Sequence, residues 1–142
     1  MAMQYGEAEL DAVVKVYFVP EAGKTGFDLR RPDQVQAAGL IDDKMRVQIL
    51  TSRFMVCDLT HGNKGAYWEA GFAEGPGRPV IYTCRRDVFE HRTHEHHPHF
   101  DINHWVTVIW DPAEAASAAR KLKYTIRATL QAEAWLTDPD QP

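Results

Sequence analysis

Three unbroken apolar runs, at residues 54–57, 80–83 and 105–110, place the strongest constraint on the fold of this chain. They lack the strict alternation of apolar and polar side chains that marks a strand with one solvated face. Such runs are typical of parallel strands that helices cover on both faces. A helical stretch flanked by Gly62 and Gly75 separates the first two runs, as in a right-handed strand–helix–strand unit. The sequence therefore predicts a parallel sheet.

Helical and extended patterns fill the chain around these runs. In order they are a helix at 7–19 ended by Pro20 and Gly23, an extended segment at 26–29, an aperiodic loop at 32–39, a helix at 42–52 and a long helix from Pro112. The order implies a doubly wound, mostly parallel α/β fold, Rossmann-like or flavodoxin-like, with a short first strand at 2–5. We expect a single α/β domain over residues 1–136 and a disordered tail at 137–142.

Composition narrows the class of protein and its partners. The 142 residues are 44% hydrophobic and 25% charged, which suits one globular domain with one core. A formal charge of -4 supplies no basic field for phosphate backbones, so duplex nucleic acid is not an expected partner. Lys15 interrupts the apolar stretch 12–19, which argues against a signal peptide or a membrane span. Cys57 and Cys84 are expected to be buried thiols in a reducing, cytoplasmic compartment.

Glu69 is the strongest functional candidate, because its helix otherwise carries small and aromatic side chains. If Asn63 caps this helix, Glu69 shares a face with Ala66 and Ala73. Burying a carboxyl is costly unless it is paired or protonated, so this position implies a partner or a task. Asp58 follows the first apolar run, at the edge where open parallel sheets bind ligands. Two carboxylates there suit chemistry at a sugar carbon, where one attacks or stabilises an oxocarbenium-like centre and the other orients hydroxyls or manages a proton.

A resemblance to a known family is carried by residues 53–73, RFMVCDLTHGNKGAYWEAGFA, and residues 77–82, GRPVIY. Together they resemble the nucleoside deoxyribosyltransferase superfamily, which also contains nucleotide N-glycosidases and is related to TIR-type domains that cleave NAD. The shared signature is a strand ending in an acidic residue, a polar loop, an aromatic-Glu-small-Gly helix and a Gly-x-Pro-Val strand. The resemblance implies that Glu69 is the catalytic nucleophile and that Asp58 contacts the sugar or supports Glu69. It also implies that Tyr5 and Gly6 lie beside the sugar or phosphate.

Further candidates for substrate binding lie in loops and beside strand ends. The full set is Tyr5, Gly6, Arg30, His61, Asn63, Tyr67, Arg85 and His104. Arg30 and Arg85 each belong to an arginine pair that either meets a substrate phosphate by bidentate hydrogen bonds or serves solubility at the surface. His104 lies where a loop returns to the sheet, and either closes over the site or has a structural role.

The histidine-rich run at 91–99 raises the question of a metal site. Imidazoles suit zinc, copper or nickel, but this run has no accompanying cysteine pair with which to close four ligands. Charge and proline flank the run, so we interpret it as a solvated loop. We expect no functional metal and no cofactor.

These observations support three hypotheses about function. The first is cleavage of an N-glycosidic bond in a nucleoside, nucleotide or related N-glycoside, by hydrolysis or, less readily, by transfer to a second base. The second is a catalytically inactive nucleotide-binding or sensor module of a larger defence or signalling system. The third is an oligomeric protein whose carboxylates serve only packing. The resemblance also implies a homo-oligomer.

Overall fold

A parallel sheet forms the centre of the protein, whose computed structural model describes residues 1–31, 41–99, 101–102 and 105–139. Within these ranges the strands are β1 (Met55–Asp58), β2 (Val80–Arg85) and β3 (Thr107–Trp110), in the spatial order β1-β2-β3. Both neighbouring pairs are parallel. The three apolar runs are thus confirmed as strands, and the α/β prediction holds. The third strand begins two residues later than predicted, which leaves Trp105 and Val106 exposed ahead of it.

The predicted first strand is reduced to a single bridge. Ala2 pairs with Cys57 in parallel, donating its N–H to the Val56 carbonyl at 2.8 Å and accepting from the Asp58 N–H at 2.9 Å. On its far side the Met1 amino group donates to the Arg30 carbonyl at 2.5 Å. The extended segment at 26–29 makes no ladder in the described residues. This edge of the sheet therefore consists of two short extended segments instead of two full strands.

Helices cover the sheet and connect its strands. They are α1 (Ala8–Val13), a π-helical turn (Val14–Phe18), α2 (Val19–Gly23), α3 (Ile41–Thr51), α4 (Lys64–Glu74), α5 (Arg86–Glu90), a 3₁₀ turn (Pro112–Glu114) and α6 (Ala115–Thr129). The short helix α5 is an element that the sequence patterns did not predict. The predicted loop at 32–39 lies outside the described residues. In the described part of the chain, every helix is too short or too polar to cross a bilayer.

The prediction that Pro20 ends the first helix is wrong. The chain stays helical from Ala8 to Gly23, and the π-helical turn ends at Phe18, two residues before Pro20. This turn shifts the bonding pattern by one residue, with the Val19 N–H bonded to the Val14 carbonyl, so that Pro20 falls in the first turn of α2. Proline is tolerated there because the first N–H groups of a helix need no intrahelical acceptor.

The core lies in two layers, one on each face of the sheet. Val56, Ile81, Val108 and Trp110 face α1, α2 and α6. Cys57, Tyr82 and Cys84 face α3, α4 and α5. Successive residues of a strand therefore point to opposite layers, as the period of two requires. Both cysteines are buried and free, as predicted.

The chain beyond α6 packs back onto the domain. Trp135 lies over Gly26, whose φ of +83° and 2.9 Å clearance from the indole ring, measured from an added Cβ, both require glycine. Asp138 accepts hydrogen bonds from the buried Lys123 at 2.8 Å and from Arg127 at 2.6 Å. The predicted disorder of 137–142 therefore does not hold at Asp138, while residues 140–142 lie outside the described part.

Candidate functional site

Helix α4 is fixed at its start by Asn63. The Asn63 side-chain oxygen accepts from the Ala66 N–H at 3.0 Å, which confirms the predicted N-cap. Its amide nitrogen donates to the Gln4 side-chain oxygen at 2.6 Å. Asn63 therefore ties the loop before α4 to the first segment of the chain, and it acts here as a cap.

Glu69 lies halfway along α4 and lines a cavity of about 350 Å³. The other lining residues are Met1, Asp28, Arg30, Arg31, Met45, Gln48, Ile49, Thr51, Ser52, Phe54 and Met55. This volume falls within the range of small-molecule sites. Phe54 and Met55 mark the start of β1, so the cavity lies at the edge of the sheet beside α3, where the reduced first strand leaves room. The prediction that Glu69 lies at the carboxyl end of the sheet is therefore wrong.

The Glu69 carboxylate is under-satisfied. Its Oε2 atom is buried and finds no hydrogen-bond donor among the residues that the structure describes. Burial raises the pKa of Glu69, and the charge of the Met1 amino group opposes that rise only in part. A carboxyl held in this way has lost hydration without gaining a full set of partners, and such groups are candidates for a functional site.

We expect Glu69→Gln to raise the melting temperature at neutral pH by about 2–4 °C. Because the pKa of Glu69 is raised above 4.5, the folded state favours the neutral acid, and stability falls as the pH rises above that value. Differential scanning calorimetry at about pH 4 and about pH 8 checks this, since the difference should disappear at the lower pH. The exposed Glu95→Gln is a matched control that should change the melting temperature little at either pH. An equal gain at both pH values would contradict the assignment.

Asp58 does not share the cavity with Glu69, so the predicted carboxylate pair is wrong. Asp58 is 2% exposed and points into the opposite layer of the core, away from α4. Its carboxylate accepts from the Thr83 hydroxyl at 2.7 Å, the Trp110 indole N–H at 2.9 Å and the Thr60 N–H at 3.0 Å. Burial raises the pKa of Asp58, and these hydrogen bonds hold it down in part. Asp58 therefore links the ends of β1 and β3 to Thr83 of β2.

Among the predicted binding residues that the structure describes, Arg30 lines the same cavity as Glu69. It lies on the extended segment beside Met1, and its Nε donates to the Asp28 carboxylate at 2.6 Å. Arg31 lines the cavity as well, and its guanidinium donates to Asp11 at 2.7 Å. The cavity thus combines one partly buried carboxylate with two arginines and one exposed aspartate.

The other predicted binding residues lie elsewhere. Tyr5 packs beside Arg31 at 5.9 Å and donates to the Met1 carbonyl, while Gly6 takes a positive φ of 81° at the turn before α1. His61 approaches Glu7 at 3.8 Å. Tyr67 packs in the core layer beneath α4, and Arg85 lines a separate surface cleft, bonded to Glu9 and Asp87. His104 lies outside the described residues.

The histidine-rich loop packs against the start of α4. The His96 ring lies over Gly62, where an added Cβ would come within 2.9 Å of its Nδ1 atom, and Gly62 has a φ of +59°. His91 and His97 hydrogen-bond the backbone carbonyls of Asp87 and Val88. Within the described ranges, no three potential ligands are grouped closely enough to hold a metal ion.

Sequence reasoning missed several polar residues of the cavity. The sequence predicts a helix at 42–52, in which Gln48 and Ser52 stand at helical spacing from Met45 and Ile49, and all four line the cavity. Asp28 precedes the predicted arginine pair by two residues. Two features of the sequence could have identified these residues. They are the polar side chains of Gln48 and Ser52 at helical spacing from apolar residues, and the acid Asp28 close to two arginines.

Comparison with known proteins identifies no family for this chain. The sequence has no significant match to a protein-family model, a curated protein or a solved structure. The resemblance carried by residues 53–82 is accordingly a hypothesis, and the geometry of the Glu69 cavity carries the functional argument.

Proposed function

We propose that the protein cleaves the N-glycosidic bond of a nucleoside, nucleotide or related N-glycoside, with Glu69 as the nucleophile. One observation carries this proposal: Glu69 lines a cavity of ligand size with a buried carboxylate oxygen that has no donor among the described residues. An attacking carboxylate has to be available for bonding to carbon, which a fully hydrogen-bonded group such as Asp58 is not.

The reaction proceeds in two displacements. A Glu69 carboxylate oxygen bonds to the anomeric carbon as the bond from that carbon to the base nitrogen breaks, and the electron pair leaves with the base, which takes a proton from water. Water then attacks the same carbon, the ester bond to Glu69 breaks, and the water proton is released. The sum is glycoside plus water giving free sugar and free base. Retention at the anomeric carbon follows from the two inversions.

The walls of the cavity suit such a substrate. Met45, Ile49, Phe54 and Met55 offer apolar surface for a base. Gln48, Thr51 and Ser52 offer polar groups along one side. Such a mixture of apolar walls and a few polar groups is typical of small-molecule sites.

The direct test is release of free base from purified protein. A panel of ribonucleosides, deoxyribonucleosides, their 5′-phosphates and NAD is incubated with the protein, and free base is measured by liquid chromatography. We expect release from at least one member of the panel. Since the attacking form of Glu69 is ionised and its pKa is raised in the free protein, kcat/KM should fall on the acid side with a midpoint above 4.5. A complete absence of base release would contradict the proposal.

The position of Asp58 favours a second candidate, a binding or sensor module without turnover. With Asp58 in the core, the expected second carboxylate near Glu69 is replaced by Asp28, which pairs with Arg30. A ligand that raises the melting temperature without losing its base would support this candidate. The homo-oligomer and the cytoplasmic location stay predictions.

A further inference from the structure

The ion pair between Arg30 and Asp28 lies at the rim of the Glu69 cavity and is open to water. The Arg30 side chain is 79% exposed and that of Asp28 is 65% exposed. Exposed pairs of this kind contribute little stability, because water solvates both partners when they separate. Within the described residues, Arg30 makes no other side-chain hydrogen bond, and the one it makes uses Nε. The bond to Asp28 holds the guanidinium in position, while its other N–H groups donate to no acceptor among the described residues.

Arg31 differs from Arg30 because its position is fixed. It donates to Asp11 of α1 and lies against the Tyr5 ring, and its side chain is only 20% exposed. Arg31 is therefore held in position by Asp11 and Tyr5, whereas the exposed Arg30 can exchange Asp28 for another anion. Both arginines also line a neighbouring cavity of about 510 Å³ that includes Lys15. Lys15, Arg30 and Arg31 thus contribute three cationic side chains to this neighbouring cavity.

We propose that this rim is a phosphate subsite, and that the substrate of the Glu69 cavity is a phosphorylated N-glycoside rather than a free nucleoside. The inference rests on the proposed function and deepens it. The phosphate displaces the Asp28 carboxylate from Arg30 and accepts two parallel hydrogen bonds from the guanidinium, while Arg31 and Lys15 add long-range attraction. Planar arginine matches phosphate in this bidentate way, and a phosphate dianion carries more charge than the aspartate it replaces.

The binding test avoids any assumption about the base. Affinities for ribose 5-phosphate and for ribose are measured by isothermal titration calorimetry at low ionic strength. We expect the phosphate ester to bind at least about tenfold more tightly than ribose, and Arg30→Gln to abolish that advantage. Asp28→Asn removes the competing carboxylate and should tighten binding of the ester by roughly threefold.

A matched arginine controls for general loss of charge. Arg46 is a half-exposed arginine of α3 whose ion-pair partner is Asp43, and it does not line the cavity. Arg46→Gln should retain the preference for the phosphate ester. Equal binding of ribose 5-phosphate by wild-type protein and Arg30→Gln, or equal loss in both arginine variants, would overturn the subsite. Absence of any preference over ribose would do the same.

Kinetics separate this inference from the proposed function. If base release occurs, its kcat/KM for a nucleoside 5′-phosphate or a dinucleotide should exceed that for the matching nucleoside, and Arg30→Gln should reduce this ratio chiefly through KM. Base release with no preference for phosphate overturns the subsite and leaves the Glu69 chemistry standing. Binding of ribose 5-phosphate through Arg30 with no base release from any substrate supports the subsite and contradicts the proposed reaction. Comparing the monophosphate with the dinucleotide distinguishes the two sources of phosphate.

Discussion

Replacing Asp58 by alanine is expected to lower the free energy of unfolding by about 3–5 kcal/mol. The substitution removes the shared acceptor of three donors, on Thr60, Thr83 and Trp110, in a part of the core where Asp58 itself is 2% exposed. Each donor would be left buried and unpaired, which costs more than the hydrogen bond contributed. Equilibrium unfolding in urea, followed by tryptophan fluorescence and circular dichroism, measures the change.

Asp28→Ala is the matched control for this experiment. It removes the same side chain from an exposed ion pair, so its effect should be within about 0.5 kcal/mol. Asp58→Asn should also be destabilising, because the N–H group of its amide would face a hydrogen-bond donor from which the carboxylate accepts. If Asp58→Ala were as stable as Asp28→Ala, the hydrogen-bonded arrangement around Trp110 would be contradicted, and the catalytic role of Asp58 would become the better interpretation.

The framework of the fold is predictable from the sequence because its signals are local. Unbroken apolar runs identify β1 and β2 without knowledge of their partners, and Asn63 before the small residues of α4 identifies the helix start. Pro20 shows the limit of such signals. A π-helical turn places Pro20 where its missing N–H leaves no acceptor unpaired in the first turn of α2. No local sequence pattern predicts that turn.

The relation between Asp58 and Glu69 depends on which layer each side chain enters. Cys57 and Asp58 are neighbours in sequence but face opposite layers, and the Cys57 thiol contacts the Ala66 carbonyl of α4 at 3.5 Å. With Cys57 towards α4, Asp58 has to point away from Glu69. The closeness of Asp58 and Glu69 in the sequence was therefore misleading. A shift of one residue along a strand moves a side chain to the opposite face of the sheet.

The cavity could not be predicted from the sequence, because it forms at the edge of the sheet where a short bridge takes the place of a full strand among the described residues. In the described part of the chain, the first segment contributes only the bridge at Ala2, and β1 has no full neighbouring strand on that side. Met1, the arginine segment and α3 instead form the wall beside Glu69. These groups are far apart in the sequence, and only packing brings Arg30 and Glu69 to the same cavity. Glu69 was therefore identifiable as a candidate residue from the sequence, while the residues that surround it were not.

The largest expected effect concerns Glu69. With any substrate from which the wild-type protein releases base, Glu69→Gln should reduce kcat by at least about 10³-fold, because the amide oxygen cannot form the glycosyl ester. Glu69→Asp keeps the charge but withdraws the carboxylate by one methylene, so about a 10²-fold loss is expected. Rates of base release by chromatography, with substrate at saturation, measure both. Rapid acid quenching of the wild-type protein followed by peptide mass spectrometry should find the sugar on the peptide that contains Glu69.

Stability and activity should move in opposite directions at this residue, which separates a catalytic role from a structural one. Glu69→Gln is expected to melt higher than the wild type at neutral pH, since burial disfavours the charge it removes. Glu74 offers the control on the same helix, because it accepts from the Tyr82 hydroxyl at 2.8 Å and lies outside the cavity lining, and glutamine can accept there too. Glu74→Gln should therefore retain wild-type kcat. If Glu69→Gln releases base as fast as Glu74→Gln, the Glu69 carboxylate has only a packing role. If Glu69→Gln is inactive but more stable than the wild type, the Glu69 carboxylate has a catalytic role.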